Sequence, residues 1–319
     1  MVRPFKKEIN FLKHRRFFFV LAGILLLVSA AALPIRGLNF GIEFVGGTSI
    51  NFSNTGDIGI EEMRTTFEEM GIENPIIQTS VNSESGTAGF LVQISEMDSD
   101  IASGYKDKVV EALGLNPTTA ESNTVSSSWG AEVARTSAIA FLVAIVLIIA
   151  YMAFRFEYKM GVTAVITLIH DLVIIVGVYA VLGREVTPNG VAALLNIMGY
   201  SLYDTVVVFH RINDNLGNTE RHSFMTVANH SINQVFIRTI NTTLSTLIPV
   251  VAMLFFGGET LKDFAFAMAI GLVLGSYSSI AIASPIYALW KQREPKFKRL
   301  AQKYGENVDT FTTEEQLQN

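Results

Sequence analysis

The chain has 319 residues, of which 50% are hydrophobic and only 17% are charged, and its formal net charge is -5. This composition is too apolar for an ordinary soluble domain, and the mild charge does not favour nucleic acid as a partner. The sequence contains no cysteine, which excludes disulfides, thiolate metal sites and cysteine nucleophiles. A membrane protein is therefore the first interpretation.

Several segments are apolar enough to cross a bilayer, for which a helix needs about 20 residues. The six candidates are Phe17–Leu33, Ser137–Phe154, Gly161–Leu182, Gly190–Phe209, Ile240–Phe256 and Phe264–Leu289. The first follows basic residues and ends near small ones, which is also typical of a cleaved signal peptide. Because five further spans follow it, we interpret it as a retained anchor. The sequence thus predicts a polytopic α-helical membrane protein with six transmembrane helices.

The distribution of basic residues predicts the orientation of these helices. If the N-terminus lies inside, seventeen of the 24 Lys and Arg residues fall on the inner side, as the positive-inside rule requires. Both termini are therefore predicted to be cytoplasmic. The predicted division is a cytoplasmic N-terminus (1–16), a first helix (17–35), an extracytoplasmic domain (36–136), a five-helix membrane region (137–289) and a cytoplasmic tail (290–319).

The segment between the first two spans is long enough for a small domain. Its pattern reads strand, helix, strand, strand, helix, strand, with Asp57 and Asp98 as helix N-caps. That order is the split βαβ arrangement of ferredoxin-like folds. The sequence therefore predicts one α+β ferredoxin-like extracytoplasmic domain between helices 1 and 2.

Polar residues recur at helical spacing within three adjacent spans. They are Thr163, Thr167, His170 and Asp171 in the third span, Asn196, Tyr200 and Asp204 in the fourth, and Arg238, Asn241, Thr242 and Ser245 in the fifth. An ionisable side chain inside a span costs roughly 2.5 to 3.5 kcal/mol, so these groups must face the bundle interior and find partners. Three polar faces together predict a pathway for protons or sodium ions.

Asp204 and Arg238 are the predicted coupling pair, because protonation of the acid would release it from the permanently charged guanidinium. His170 beside Asp171 is either a second titrating element or a buried hydrogen-bonded pair. Arg238 lies at a span end and could instead extend to the headgroups. In the sixth span, Gly271 and Gly275 indicate close helix packing.

Several of these stretches are similar to motifs of the SecF family, a half-size relative of the resistance-nodulation-division transporters. The segment Gly41–Thr48 resembles the family's motif after the first span, and Ser201–Phe209 resembles its fourth-span signature. Arg238–Thr246 and Gly275–Ile280 resemble the fifth- and sixth-span motifs, and His170-Asp171 occupies the place of the third-span motif. With the six-span layout, the resemblance covers most of the chain.

The resemblance implies an accessory subunit of the Sec protein translocase in the cytoplasmic membrane, rather than an enzyme. It implies work with SecD at a SecYEG-type channel, where the proton or sodium motive force promotes export of polypeptides, in contact with membrane lipid and without a cofactor or metal. By the same analogy Asp204 and Arg238 carry the coupling. The other expected relay residues are Asp171, His170, Asn241 and Thr242.

Three other interpretations stay open at this stage. An independent exporter of a lipid or small solute in the same superfamily would usually carry two repeats, and this chain has one. An intramembrane aspartyl protease would use Asp171 and Asp204 as two carboxylates sharing a proton, but the sequence has no Gly-x-Gly-Asp motif. A subunit that only scaffolds SecD would leave the polar faces without a role.

Overall fold

The computed structural model describes residues 8–53, 55–56, 58–72, 75–81, 88–96, 98–220 and 222–305. Its elements in chain order are α1 (Arg15–Arg36), β1 (Asn39–Phe40), α2 (Ile42–Val45), β2 (Gly47–Phe52), α3 (Ile60–Glu69), β3 (Ile76–Val81), β4 (Ala88–Ile94), α4 (Ser99–Ala112), β5 (Ala120–Val125), α5 (Ser127–Arg155), α6 (Tyr158–Leu182), β6 (Glu185–Val186), α7 (Pro188–Asp214), α8 (Phe224–Phe256), α9 (Glu259–Ser278), α10 (Ser284–Gln292) and α11 (Pro295–Tyr304). A π-helical turn, Ser279–Ala283, joins α9 to α10.

Six helices in the described part of the chain are long and apolar enough to cross a membrane. These spans are Leu12–Arg36, Ser127–Arg155, Tyr158–Leu182, Pro188–Gly217, Phe224–Phe256 and Leu261–Gln292. In the last span, 72% of the most apolar stretch is buried inside the protein, whereas in α5 only 6% of the corresponding stretch is buried. The last span therefore lies at the centre of the bundle and α5 at its edge. The chain is a multi-pass membrane protein.

Two of the spanning helices begin well before their apolar stretches. Helix α5 starts at Ser127, where the Ser126 hydroxyl accepts a hydrogen bond from the Trp129 N–H at 3.4 Å. Helix α8 starts at Phe224 and is capped in the same way by the Ser223 side chain. Such caps satisfy backbone donors at a helix start. The two helices therefore begin before the residues that hydropathy alone identifies.

Between α1 and α5 lies a four-stranded antiparallel sheet in the order β3-β4-β2-β5. Helices α3 and α4 pack on it through a core that includes Ile50, Phe67 and Val109. Asp98 caps α4 as predicted, because its carboxylate accepts hydrogen bonds from two backbone N–H groups of the first turn, at 2.9 and 3.2 Å. The other predicted cap, Asp57, lies outside the described residues.

A short parallel sheet joins this unit to the membrane helices. Strand β1 pairs with β6, which lies in the connection between α6 and α7, and the Gly41 N–H donates to the Val186 carbonyl at 3.0 Å. Gly41 precedes α2, whose Phe44 carbonyl lies close to Gly130 in the first turn of α5. The ends of the spanning helices next to the sheet are thereby fastened to the chain segment that enters it.

Glycines allow close approach between spanning helices. A Cβ on Gly271 would lie 2.6 Å from the Ile197 Cγ2, and one on Gly275 would lie 3.0 Å from the Ser201 Cβ. These contacts confirm the close packing predicted for the sixth span. Gly177 on α6 meets Ser29 on α1 in the same way, because a Cβ there would lie 2.6 Å from the Ser29 Cα.

We therefore expect Gly177→Ala to destabilise the packing of α1 on α6 by about 1 to 3 kcal/mol, the usual cost of overpacking a close contact. The measurement is the thermal unfolding midpoint of the purified chain in detergent. Gly23→Ala is the matched control, because a Cβ on Gly23 of α1 has no atom within 4 Å in the described structure. A midpoint for Gly177→Ala equal to that of Gly23→Ala would contradict the prediction.

Candidate functional site

The polar residues of the spanning helices form two groups in the structure. One group surrounds Asp171 of α6 and is buried, with Asp171 itself 0% exposed. The other surrounds Asp204 of α7 and Arg238 of α8 and lies on the surface of the bundle, where Asp204 is half-buried and Arg238 is exposed. The two groups therefore have different surroundings.

The buried group, here named the Asp171 cluster, consists of Asp171, His170, Ser201 and Ser278. One carboxylate oxygen, Oδ2, accepts hydrogen bonds from the hydroxyls of Ser201 and Ser278, each at 2.7 Å. The other oxygen, Oδ1, lies 2.9 Å from His170 Nδ1. The cluster thus joins three helices, α6, α7 and α9, through one carboxylate. His170 and Asp171 are thus a buried pair in hydrogen-bond contact.

Two further hydroxyls extend this cluster along α7. Thr205 Oγ1 and Ser279 Oγ lie 2.9 Å apart, and the Ser279 hydroxyl lies 3.4 Å from the Ser201 carbonyl. Ser279 begins the π-helical turn, and the Ser284 hydroxyl donates to its carbonyl at 2.7 Å. Pro285 follows and has no N–H, which interrupts the regular helical ladder. Such turns are frequent at functional sites because they displace the backbone locally.

The surface group, here named the polar face, consists of Asn196, Tyr200, Tyr203, Asp204, Arg238 and Asn241. The Arg238 guanidinium donates a hydrogen bond to the Tyr203 hydroxyl at 2.9 Å. Asp204 lines a small cleft between α7, α8 and α9, together with Thr242 and Ser276. Except for Asp204, the members of the polar face are exposed.

The six residues predicted as relay elements are therefore only partly brought together. His170 and Asp171 are in direct contact, and Thr242 shares the cleft with Asp204. Arg238 contacts the residue next to Asp204 rather than its carboxylate, and no ion pair links these two described residues. Asn241 is exposed, and the Thr242 hydroxyl donates to the Arg238 carbonyl within its own helix at 2.9 Å.

Ser201 and Ser278 are the members of the Asp171 cluster that periodicity did not assign to it. Ser278 follows Gly271 and Gly275, the glycines that indicated packing, and its position 107 residues from Asp171 gives no local signal. The Asp204 side chain is not among the hydrogen-bond partners of Asp171. Across the described residues, no group of three His, Asp or Glu side chains is placed to hold a metal ion.

Family models match most of the chain. The C-terminal model of the protein export membrane proteins SecD and SecF matches residues 105–293. A second model, the SecD/SecF GG motif, matches residues 31–52. Together these matches include five of the six spanning helices, the end of the first one, the short parallel sheet and strand β2.

Individual relatives agree with the family models. The protein translocase subunit SecF of Endomicrobium trichonymphae is 35% identical, over 92% of this chain and 95% of that protein. The SecF subunit of Streptomyces coelicolor is 34% identical, over 91% of this chain and 79% of that protein. The SecDF subunit of Thermus thermophilus is 36% identical over 86% of this chain, which matches 38% of that longer protein.

A solved structure of the same family also matches this chain. The crystal structure of SecDF from Thermus thermophilus, described as a translocon-associated membrane protein, matches with a TM-score of 0.80 at 33% identity. The match covers 90% of this chain and 39% of the SecDF chain. This chain therefore spans about two fifths of the SecDF protein.

Proposed function

The chain belongs to the SecD/SecF family of protein-export membrane proteins, and from this premise we propose that it acts as the SecF subunit of a protein translocase. In this role it works with SecD beside a SecYEG-type channel and uses the proton or sodium motive force to promote export of polypeptides across the cytoplasmic membrane. Its curated relatives carry the names SecF and SecDF, which supports this assignment.

The polar face is the observation that carries the proposal. Arg238, Asn241 and Tyr200 are exposed on helices that cross the membrane. Exposing such groups to lipid would oppose insertion, because polar and charged residues in spans almost always face protein or water. We therefore propose that a second membrane protein covers this face, and SecD is the partner that the SecDF fusions support.

Ion coupling is proposed to begin at Asp204, which lies in the cleft that opens next to the polar face. Ser201 lines the same cleft and donates to Asp171 at 2.7 Å. The Ser201 hydroxyl would then be the single group that connects a proton or sodium ion at Asp204 with the Asp171 cluster. A change of charge at either carboxylate would alter contacts among α6, α7 and α9, which is a local electrostatic event with a wider effect.

The outer parts of the protein are assigned by the same proposal. Both termini lie in the cytoplasm, and the domains divide as 1–16, 17–35, 36–136, 137–289 and 290–319. The strand order β3-β4-β2-β5 with two helices on the sheet supports a ferredoxin-like domain. This domain lies outside the cytoplasm, where it meets the exported polypeptide.

The proposal predicts what accompanies the tagged chain when it is gently extracted from its native membrane. Mass spectrometry is expected to find a SecD-like protein, with or without channel subunits. Asn241→Trp places a bulky ring on the polar face and is expected to lower recovery of that partner about tenfold, which corresponds to 1.4 kcal/mol.

The control for this experiment is Leu147→Trp, a change on the exposed side of α5, where Leu147 is 63% exposed. Recovery of the partner with this variant is expected to match that of the unaltered chain. A chain that reproducibly purifies alone would refute the SecF assignment and favour an independent exporter of a lipid or small solute.

A further inference from the structure

A carboxylate lies at the junction between the four-stranded sheet and the membrane helices. Glu185 belongs to β6, in the connection between α6 and α7. The Gln93 amide of β4 donates a hydrogen bond to Glu185 Oε1, and the Gln78 amide of β3 donates to Oε2 at 3.5 Å. One side chain of the membrane region is thus held by two strands of the outer sheet.

A second carboxylate occupies the same place. Glu43 lies in α2, and a Cβ built on Gly41 would collide with a carboxylate oxygen of both Glu43 and Glu185. Both acids therefore reach the small space over Gly41. The Glu43 oxygen Oε2 is buried and has no hydrogen-bond partner in the described structure. Two acids that approach this closely in a partly buried place cannot both ionise without repulsion.

In the described structure, the charges that act on Glu185 are those of two acids, Glu43 and Asp263. Arg184 precedes Glu185, but its guanidinium donates to the Asp263 carboxylate of α9 at 3.0 Å and stacks on the Phe266 ring at 4.2 Å. Lys262 of α9 lines the cleft beside the junction. Glu43 on α2 lies beside Glu185 over Gly41, and β3 and β4 contribute the neutral amides of Gln78 and Gln93.

Burial, and after it the negative charge of Glu43, raise the pKa of Glu185 from 4.5 to about 7. The charge of Asp263 acts in that direction too, and the hydrogen bonds from Gln93 and Gln78 act against it. The carboxyl therefore binds a proton more tightly when the junction is closed than when it is open to water.

We propose that Glu185, beside Glu43, takes up a proton and forms a pH-sensitive contact that holds the four-stranded sheet on the membrane helices. When Glu185 carries its proton, the contact is closed and both amides are bonded. When that proton leaves, the two carboxylates repel each other and the junction opens more readily. This contact is separate from Asp204 and Asp171, and its test does not depend on the proposed function.

The sign of the pH effect follows from proton binding. The closed junction binds more protons than the open one between pH 4.5 and about 7. Closure therefore weakens about tenfold per pH unit in this window as the pH rises. Below pH 4.5, closure is strongest. Above about pH 7, closure is weakest and no longer depends on pH.

Hydrogen exchange of the full chain in lipid nanodiscs measures this equilibrium. The peptide covering residues 39–45 reports opening, because the Gly41 N–H is bonded to β6. After correction for the intrinsic exchange rate, its opening constant is expected to rise about tenfold per unit up to about pH 7 and then level off. Peptides from β2 and β4 are expected to show no such rise, since their bonds lie within the sheet.

Three variants decide the assignment. Glu185→Gln keeps the shape of the side chain without titrating, so its opening constant is expected to be independent of pH. Glu43→Gln removes the repulsion between the two carboxylates but keeps Glu185 buried, so the opening constant is expected to level off at a lower pH. This variant remains informative if Glu185→Gln fails to fold. Glu111→Gln, on the exposed side of α4, is the matched control and is expected to behave like the unaltered chain.

The proposal is overturned by any of three results. The first is a corrected exchange rate of peptide 39–45 that does not change with pH in the unaltered chain. The second is the same pH dependence in Glu185→Gln. The third is an equal rise in the β2 and β4 peptides, which would mean that the whole outer unit unfolds instead of the junction opening.

Discussion

Replacing Asp204 with asparagine is expected to abolish the stimulation of protein export, down to the level of a strain that lacks the chain, while the complex with SecD still assembles. Asparagine has nearly the same size as aspartate and retains hydrogen-bonding groups, but its amide neither ionises nor takes up a proton near neutral pH. Asp204 is half-buried in the cleft beside the polar face, so this change removes the charge with little alteration of packing.

The measurement is the rate of secretion of a reporter protein in a strain that carries only the variant, with recovery of SecD as the assay of assembly. Asp204→Glu retains a titrating carboxyl and is expected to restore part of the stimulation. Asp214→Asn is the matched control, since Asp214 ends the same helix and lies 3.6 Å from His210 on an exposed surface. Normal secretion with Asp204→Asn would eliminate the coupling role of this residue.

Replacing Asp171 with alanine is expected to cost about 3 to 5 kcal/mol of stability. The change leaves two buried hydroxyls and His170 without their common acceptor, and removing one partner from a buried charged group is costly because the others lose their compensation. The three contacts at 2.7, 2.7 and 2.9 Å all end on this carboxylate. The three helices that meet there lose a shared polar contact.

The free energy of unfolding is measured in mixed micelles, with the loss of the helical circular dichroism signal as the readout. Ser201→Ala and Ser278→Ala each remove one donor and leave the carboxylate with its other contacts, so each is expected to cost about 1 kcal/mol. A stability of Asp171→Ala within 0.5 kcal/mol of the unaltered chain, on the order of a surface substitution, would show that the cluster does not hold the helices together. A stable but inactive Asp171→Asn would instead support its place in the ion path.

The sequence by itself determined the features that depend on local pattern. Six apolar stretches identified the spanning helices because length and hydropathy are sufficient for that inference. The Asp98 cap followed from a short polar residue before an apolar periodic run and was confirmed. Spacing of three and four residues also identified which polar side chains share a helical face.

Only the tertiary structure decided which polar groups meet. Periodicity defines a face but neither the rotation of a helix nor its neighbour, so it could not show that Arg238 bonds Tyr203 or that Ser278 donates to Asp171. The contact of Gln93 with Glu185 joins residues 92 positions apart in different parts of the fold. Such contacts arise when separate helices and strands pack, and their partners are set by that packing because no local interaction encodes them.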